Sequence, residues 1–383
     1  MEFYATKDGK QLRRGITTGT CAAAAACGAA GLLLSRGEEQ PCEIRIRTPK
    51  EIEVEIPVEK AELKNEEAIC CVRKDSGDDP DVTNGVLVYA TVKKLLHDPG
   101  EILIQGGEGI GTVTKPGLAC PVGSPAINPV PRRMILEEVR KQAERFGYSG
   151  GLKVEISIPE GKKLAEKTFN PKLGILGGIS VLGTSGIVEP MSEQAIIDTV
   201  KTEMNVAKAE GKDYLILTPG NYGEAFLQRT KEISGLAYVK CSNFIGDALD
   251  YAAETGFCGI LLVGHIGKLI KVGAGQMNTH SKYGDRRMET LADCLEQAGG
   301  RGEILLSCVT TEEAIHLIRD ENASLEEKLW AIVLEKIQRQ MKERVKARIR
   351  TEAMIYSNRY GYLGETPGTG AFLTCAAAKE EKR

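Results

Sequence analysis

The chain has 383 residues, 42% apolar and 27% charged, the mix of a folded soluble protein. At about 150 residues per domain that length leaves room for two to three domains. Lysine and arginine number 50 against 53 acidic residues, a net charge of −3, which argues against a dedicated nucleic-acid binder, and 5% aromatic residues supply little for base stacking. Glycine is in excess, with 43 residues and no collagen period, so the backbone must come close to something in many turns.

Along the chain, Arg13 and Arg14 precede an uncharged stretch, 15–35, that superficially has the form of a twin-arginine leader. Its middle is alanine and threonine, too weakly apolar for such a leader. The better reading is a helix over about 20–34, capped by Thr18 or Thr20, whose alanines let it pack close to a neighbour. Period-two alternation predicts strands at 42–48 and 51–56, with further strands at 67–73, 86–94 and 101–105. A proline-started amphipathic helix follows over 129–146, then a strand over 153–158 stopped by Pro159. Residues 1–165 therefore read as an α+β domain.

From residue 166 strands and helices alternate: strands at 174–181, 214–218, 237–240 and 259–263, helices at 192–210, 223–233, 246–254 and 285–298. This predicts a Rossmann-like α/β domain with a parallel sheet over 166–310. Residues 303–308 fit a strand or a helical turn equally. Residues 311–383 are expected to form a helical extension, with apolar residues at helical spacing from Leu325 to Ile349, and a terminal hairpin at 353–363. The basic end of that helix, from Arg339 to Arg350, reads as a solvated face. No membrane span is expected. Eleven cysteines with no Cys-x-x-Cys pair point to small buried side chains in a reducing cytoplasm rather than to disulfides or zinc.

The loops are the places to look for chemistry. Residues 106–111, Gly-Gly-Glu-Gly-Ile-Gly, lack the Gly-x-Gly-x-x-Gly spacing and precede no helix, so a tight turn competes with a nucleotide loop. In 264–268 the lysine is followed by Leu269, without the hydroxyl that holds magnesium in a Walker loop. The small and polar loops 183–186, 218–223, 241–246 and 264–268 are expected at one carboxyl edge of the sheet, where ligands bind in open α/β folds. Residues 75–81 concentrate four carboxylates; they read either as Asx turns or as an acid–base site in which crowding raises a pKa. Of the four histidines, His97, His265, His280 and His316, only His265 and His280 fall in glycine-rich polar loops of the expected cleft.

Taken together, LRRGITTGTCAAAAA (12–26), DSGDDPDVTNG (75–85), GGEGIGTVTKPGL (106–118), GSPAINPVPR (123–132), NPKLGILGGISVLGTSGIVEPMS (170–192), TPGNYG (218–223), GHIGKLIK (264–271) and NTHS (278–281) resemble the CbiD family. That family comprises the cobalt-precorrin-5B C1-methyltransferases of oxygen-independent cobalamin biosynthesis. The resemblance implies S-adenosylmethionine (SAM) as methyl donor, a cobalt-carrying tetrapyrrole as acceptor, cobalt-precorrin-6A as product and no protein-bound metal. The chain is further expected to be cytoplasmic, to hand its product to other enzymes of the pathway, to act on neither nucleic acid nor membrane, and to be a homo-oligomer. A nicotinamide-dependent oxidoreductase and a non-catalytic tetrapyrrole carrier are the alternatives.

Residue chemistry then suggests roles. The acid side chains of a tetrapyrrole call for fixed cations, and Arg13, Arg14, Lys115, Arg132, Arg133, Lys268 and Lys271 flank the motifs. Thr17, Thr18 and Thr20 at a helix start offer a further carboxylate site. Thr218, Gly220, Asn221, Gly223, Gly264 and Gly267 are the expected SAM contacts. Asp75, Asp78 and His265 are the expected proton-handling residues.

Overall fold

The computed structural model describes residues 4–7, 9–95, 100–220, 223, 226, 236–321 and 323–380. They form two compact units, Met1–Ser192 and Glu193–Arg383.

In the first unit, β1 (Tyr4–Lys7) and β2 (Lys10–Arg13) form a hairpin, and β3 (Gly15–Ile16) leads into the helix Thr18–Leu34. Then come β4 (Glu43–Arg47), β5 (Glu53–Lys64), β6 (Glu67–Arg73), β7 (Leu87–Leu95), β8 (Ile102–Gly106), the two-residue β9 (Thr112–Val113) and β10 (Gly151–Ser157). Six of these make one sheet in the order β4-β5-β6-β7-β10-β8, antiparallel except where β10 lies beside β8. The period-two pattern sets its faces: Ile44, Ile46, Val54 and Ile56 point into the core, while Arg45, Arg47, Glu53 and Glu55 point to water.

The helix Thr18–Leu34 lies between the inner face of this sheet and the helix Pro129–Arg145, and every residue from Thr18 to Leu33 is buried. A helix enclosed on all sides needs no polar stripe. It needs small side chains instead, and the alanine run supplies them. Gly28 marks the tightest approach to the sheet, since a Cβ there would sit 2.7 Å from Cys70 Sγ. The cap is Thr17, one residue earlier than expected, whose hydroxyl accepts from the Thr20 N–H. Thr18 and Thr20 are already inside the helix, and their hydroxyls turn to other backbone groups.

The second unit holds β13 (Tyr214–Thr218), β14 (Tyr238–Lys240), β15 (Gly259–His265), β16 (Arg350–Ser357) and β17 (Gly361–Glu365), in the order β14-β13-β15-β16-β17. The first four are parallel and β17 is antiparallel. On one face Leu215, Leu217, Ile260, Leu262, Ala353 and Ile355 join a large core with helices that include Glu193–Ala209, Ile245–Glu254, Ile266–Gly273 and Arg287–Gln297. The other face, with Ile216, Leu261, Val263 and Met354, packs on Phe372 and Ala376 of the helix Thr369–Glu380.

This is a mixed α/β fold, and it departs from the expected division in two places. Residues 174–181 give no strand of the parallel sheet. They hold only β11 (Ile175–Leu176), antiparallel to β9, and with β12 (Ile187–Val188), paired to β3, they belong to the first unit. An apolar run shows that a segment is buried, not which sheet buries it. Residues 311–383 are no appendage either. The expected hairpin exists, but its first strand, β16, lies parallel beside β15 along its whole length, and the helix Ala323–Arg344 shares the large core. The basic stretch is partly tied down: Arg344 pairs with Asp250 and Arg350 with Glu352. Residues 303–308 contribute to the 3₁₀ turn Gly302–Leu305. The helix expected over 223–233 lies largely outside the described residues, as does His97. No helix among the described residues is long and apolar enough to cross a membrane. Cys21, Cys27, Cys70, Cys71, Cys120, Cys241, Cys294 and Cys308 are buried, as the composition suggested.

The contact of Gly28 with Cys70 makes a double-mutant test. Gly28→Ala is expected to destabilise the first unit by about 1–3 kcal/mol through overpacking. Cys70→Ala in the same chain should return part of that loss, read as melting temperature by calorimetry.

Candidate functional site

The carboxyl edge of the parallel sheet in the second unit brings polar side chains together with glycines. Strand order makes this the natural place. The chain runs from β13 outward to β14 and then back across to β15, so the crevice between β13 and β15 opens where the winding reverses. Three expected loops do meet there. A Cβ on Gly220 would lie 3.3 Å from Lys268 Nζ, and one on Gly264 would lie 3.0 Å from Pro219 Cγ. Lys268 donates to Asn243 Oδ1 at 3.0 Å, which joins the loop after β14 to the loop after β15. Asn243 also accepts from Thr279 Oγ1 at 3.1 Å, which brings in the Asn278-Thr-His-Ser281 motif. Burial holds the half-buried Lys268 ammonium below its ordinary pKa, so a carboxylate there would be welcome. Lys271 is buried and reaches the Thr279 and Gly284 carbonyls at 3.4 Å.

Thr218 ends β13 fully buried, and Gly223 packs against its hydroxyl so tightly that a Cβ would lie 1.5 Å from Oγ1. Asn221 lies outside the described residues. His265 ends β15 and caps the next helix: Nδ1 accepts the Gly267 N–H at 3.0 Å, and Nε2 lies 3.0 Å from Glu312 Oε1. With Nδ1 accepting, the ring proton sits on Nε2 and is held by Glu312. Both nitrogens are committed, which leaves His265 as a positioning group rather than an open base. His280 does the same for a short turn, its Nδ1 accepting from the Lys282 N–H at 3.1 Å, and it is exposed. His316 lies 3.6 Å from Asp320 on an exposed helix face.

The remaining expected residues are in the first unit, and their surroundings explain most of them structurally. The Arg13 guanidinium pairs with the Asp75 carboxylate through both oxygens, and the Arg13 backbone N–H donates to Asp78 Oδ2 at 2.6 Å. Crowding does not raise Asp75 as expected: the Arg13 hydrogen bond holds its carboxyl below the ordinary range. Both aspartates are exposed. In the same loop Lys74, 2% exposed, donates to Asp81 Oδ2 at 2.6 Å and to Ser76. Burial pushes the Asp81 carboxyl up, but the Lys74 ammonium outweighs it and holds the group below its usual value.

The threonines are likewise engaged. Thr18 Oγ1 exchanges hydrogen bonds with the backbone of Leu182, at 3.2 and 2.9 Å, and Thr20 Oγ1 donates to the Gly186 carbonyl at 2.7 Å. These contacts fasten the 183–186 loop to the start of the alanine helix, where a Cβ on Gly183 would strike Thr17. The loop is therefore absent from the parallel edge, and its glycine is needed for packing. The glycines of 106–111 have the same origin: a Cβ on Gly109 would fall 1.8 Å from the Ile158 carbonyl oxygen. Lys115 lies over Gly174, Arg132 reaches the Ile104 carbonyl at 3.4 Å, and Arg133 faces Glu137 at 3.8 Å.

A groove of about 340 Å³ in this unit is lined by Arg13, Arg14 and Arg73, matched by Glu53, Glu55 and Asp75. Arg14 is the least committed of the three. Its Nε is buried without a hydrogen-bond partner among the described residues, and its one ion pair, to Glu189, is long at 3.8 Å. Sequence reasoning missed Asn243, Thr279, Glu312 and Tyr356. The first two stand inside quoted motifs, whereas nothing local marks the last two.

These features define a two-unit mixed α/β protein in which glycines and polar side chains meet at the carboxyl edge of a parallel sheet. The family profile described as CbiD matches residues 5–190, nearly the whole first unit, and the one described as CbiD, C-terminal domain matches residues 278–367. The chain is 44% identical to the cobalt-precorrin-5B C(1)-methyltransferase of Ruminiclostridium cellulolyticum over 94% of its own length and 92% of that protein's. It is 44% identical to the protein of the same name from Alkaliphilus metalliredigens, over 97% of each. A crystal structure of the cobalamin biosynthesis protein (cbiD) from Archaeoglobus fulgidus matches at 31% identity, covering 73% of this chain and 86% of that one, with a TM-score of 0.40. The chain belongs to the CbiD family.

The buried Lys74–Asp81 pair gives a pH and mutation test. Asp81 contributes fully above its ordinary pKa, and that contribution is lost as pH falls through the lower folded value. Asp81→Asn leaves the Lys74 ammonium buried without its counter-charge and is expected to cost about 3–5 kcal/mol. Calorimetry at neutral pH should show a lowered first-unit transition, and the acid limb of the mutant's stability curve should be shallower than that of the wild type.

Proposed function

We propose that this chain methylates C1 of cobalt-precorrin-5B with SAM. The observation that carries the reading is the 44% identity to cobalt-precorrin-5B C(1)-methyltransferases along almost the entire chain. SAM supplies an electrophilic methyl group: a new C–C bond forms to the macrocycle, the S–CH₃ bond breaks, and its electron pair stays on sulfur as S-adenosylhomocysteine. What the protein must add is alignment and exclusion of water.

In this reading the second unit is a Rossmann-like donor domain. The donor lies at the carboxyl edge, over Gly220, Gly264 and Gly267, where the backbones come close enough to exclude solvent. The half-buried Lys268 accepts a ligand carboxylate, with Asn243 holding its ammonium in place. Arg14, whose guanidinium is underused, takes an acid side chain of the tetrapyrrole. Arg13, Asp75 and Asp78 hold the segment that presents Arg14, and His265 fixes the Gly267 turn. Thr17, Thr18 and Thr20 act through the same scaffold rather than through contact with the substrate.

Two substitutions separate these roles. Arg14→Met is expected to raise KM for the tetrapyrrole about tenfold or more with little change in melting temperature. Arg13→Met should lower the melting temperature as well, because it unties the Asp75 carboxylate. The direct test is anaerobic incubation with cobalt-precorrin-5B and methyl-labelled SAM, followed by mass measurement of the product. An unlabelled macrocycle from folded protein would refute the assignment.

A further inference from the structure

The sheet face that packs against the helix Thr369–Glu380 carries two buried hydroxyls, those of Thr218 and Tyr356. Alternation along β13 puts Thr218 on the same face as Ile216, and Tyr356 shares that face with Met354 and Val263. Tyr356 is 2% exposed and Thr218 is fully buried. Neither Tyr356 OH nor Thr218 Oγ1 has a hydrogen-bond partner among the described residues. A buried hydroxyl left unpaired costs about 1–3 kcal/mol, and a phenylalanine or a valine would have avoided it. Both stand at the carboxyl ends of strands that flank β15, and the register sets Tyr356 opposite His265.

We infer that Tyr356 and Thr218 are ligand contacts, and that they hydrogen-bond to the neutral nucleoside portion of the methyl donor. This rests on the donor site proposed above and deepens it. Three observations select a neutral partner. The hydroxyls are themselves uncharged. Burial pushes the Tyr356 phenol up to about 12, so it keeps its proton and donates. The ring is held rigidly, stacked on Phe226 at a centroid distance of 4.4 Å and edge-on to His265 at 5.8 Å. A carboxylate would instead seek Lys268, beside Gly220 on the neighbouring loop. The two ends of the site thus sort the two ends of the donor: ribose and purine atoms to the hydroxyls, the amino-acid carboxylate to the lysine. His265 is a positioning residue in this arrangement, since its committed ring fixes the edge against which Tyr356 rests.

Tyr356→Phe removes one oxygen and keeps both ring contacts, and Thr218→Val preserves shape. The probe is S-adenosylhomocysteine, titrated by calorimetry into the full-length protein. Each variant is expected to bind it about three- to tenfold more weakly than wild type, the loss typical of one hydrogen bond. Each should also melt at the same temperature as wild type or higher when no ligand is present, because an unpaired buried hydroxyl has been removed. Wild-type affinity in both variants would overturn the inference and leave the proposed function standing. A lowered ligand-free melting temperature in both variants would overturn it too, by showing the hydroxyls to be structural. Wild-type protein that neither binds S-adenosylhomocysteine nor methylates would remove this inference together with the function beneath it.

Discussion

The second unit depends on the placement of β15. This strand is enclosed between β13 and β16, and its residues Gly259 to Gly264 are buried. A strand buried on both faces has no position for a polar side chain except at its ends. The Ile-Leu-Leu-Val run is the result, and His265 is the first residue free to be polar. It serves at once as the end of the strand and the cap of the next helix. The polar groups of the site are therefore crowded at one edge by the apolar demand of the sheet, and parallel register aligns the ends of its neighbours with them.

The first unit solves a different problem with the same economy. Its central helix is buried all round, so ordering it depends on close packing and on a well-tied start. The threonines and glycines around residues 15–20 meet that need: Thr17 caps, Thr18 and Thr20 bind the 182–186 loop, and Asp75 accepts the Arg13 guanidinium while its carbonyl receives the Ile16 N–H at 2.7 Å. Much of the motif that marks the family in this region is thus a set of internal fastenings. A sequence signature in a buried setting reports what the fold cannot do without, and only part of that touches a ligand.

Local pattern was readable wherever a single periodicity decided the matter. The alternation in 42–56 and 67–73, the proline-started helix after residue 129 and the core strands at 214 and 259 all appear as expected. What failed was pairing across distance. The stretch 174–181 is apolar in either unit, and no local feature says that it crosses to β9. Tyr356 looked like part of a terminal hairpin because β17 follows it directly, while its partner β15 is some ninety residues upstream. Glu312 was invisible for the same reason, since its role comes only from meeting His265 and Ser357. The loops at 218, 241 and 264 stand out in the sequence because glycine and short polar residues follow apolar strands, and parallel register brings them to one edge. The loop at 183 carried the same signal for a different cause, close packing on Thr17.

Charge sharpens the proposed chemistry. A tetrapyrrole with several acid groups meeting a chain of net charge −3 gains little from the overall field. Recognition must come from individual cations, and several of the arginines near the motifs are already paired: Arg13 to Asp75, Arg73 to Glu59, Arg133 to Glu137. A committed guanidinium adds little attraction for a new anion, because its partner must be displaced or left to repel. Among the described residues Arg14, with a buried and unused Nε and one long ion pair to Glu189, and Lys268, with a neutral acceptor at 3.0 Å, are less committed. Binding that rests on so few uncommitted charges is weak at long range and selective at short range. An enzyme that must present one ring carbon to one methyl group needs that selectivity more than it needs affinity.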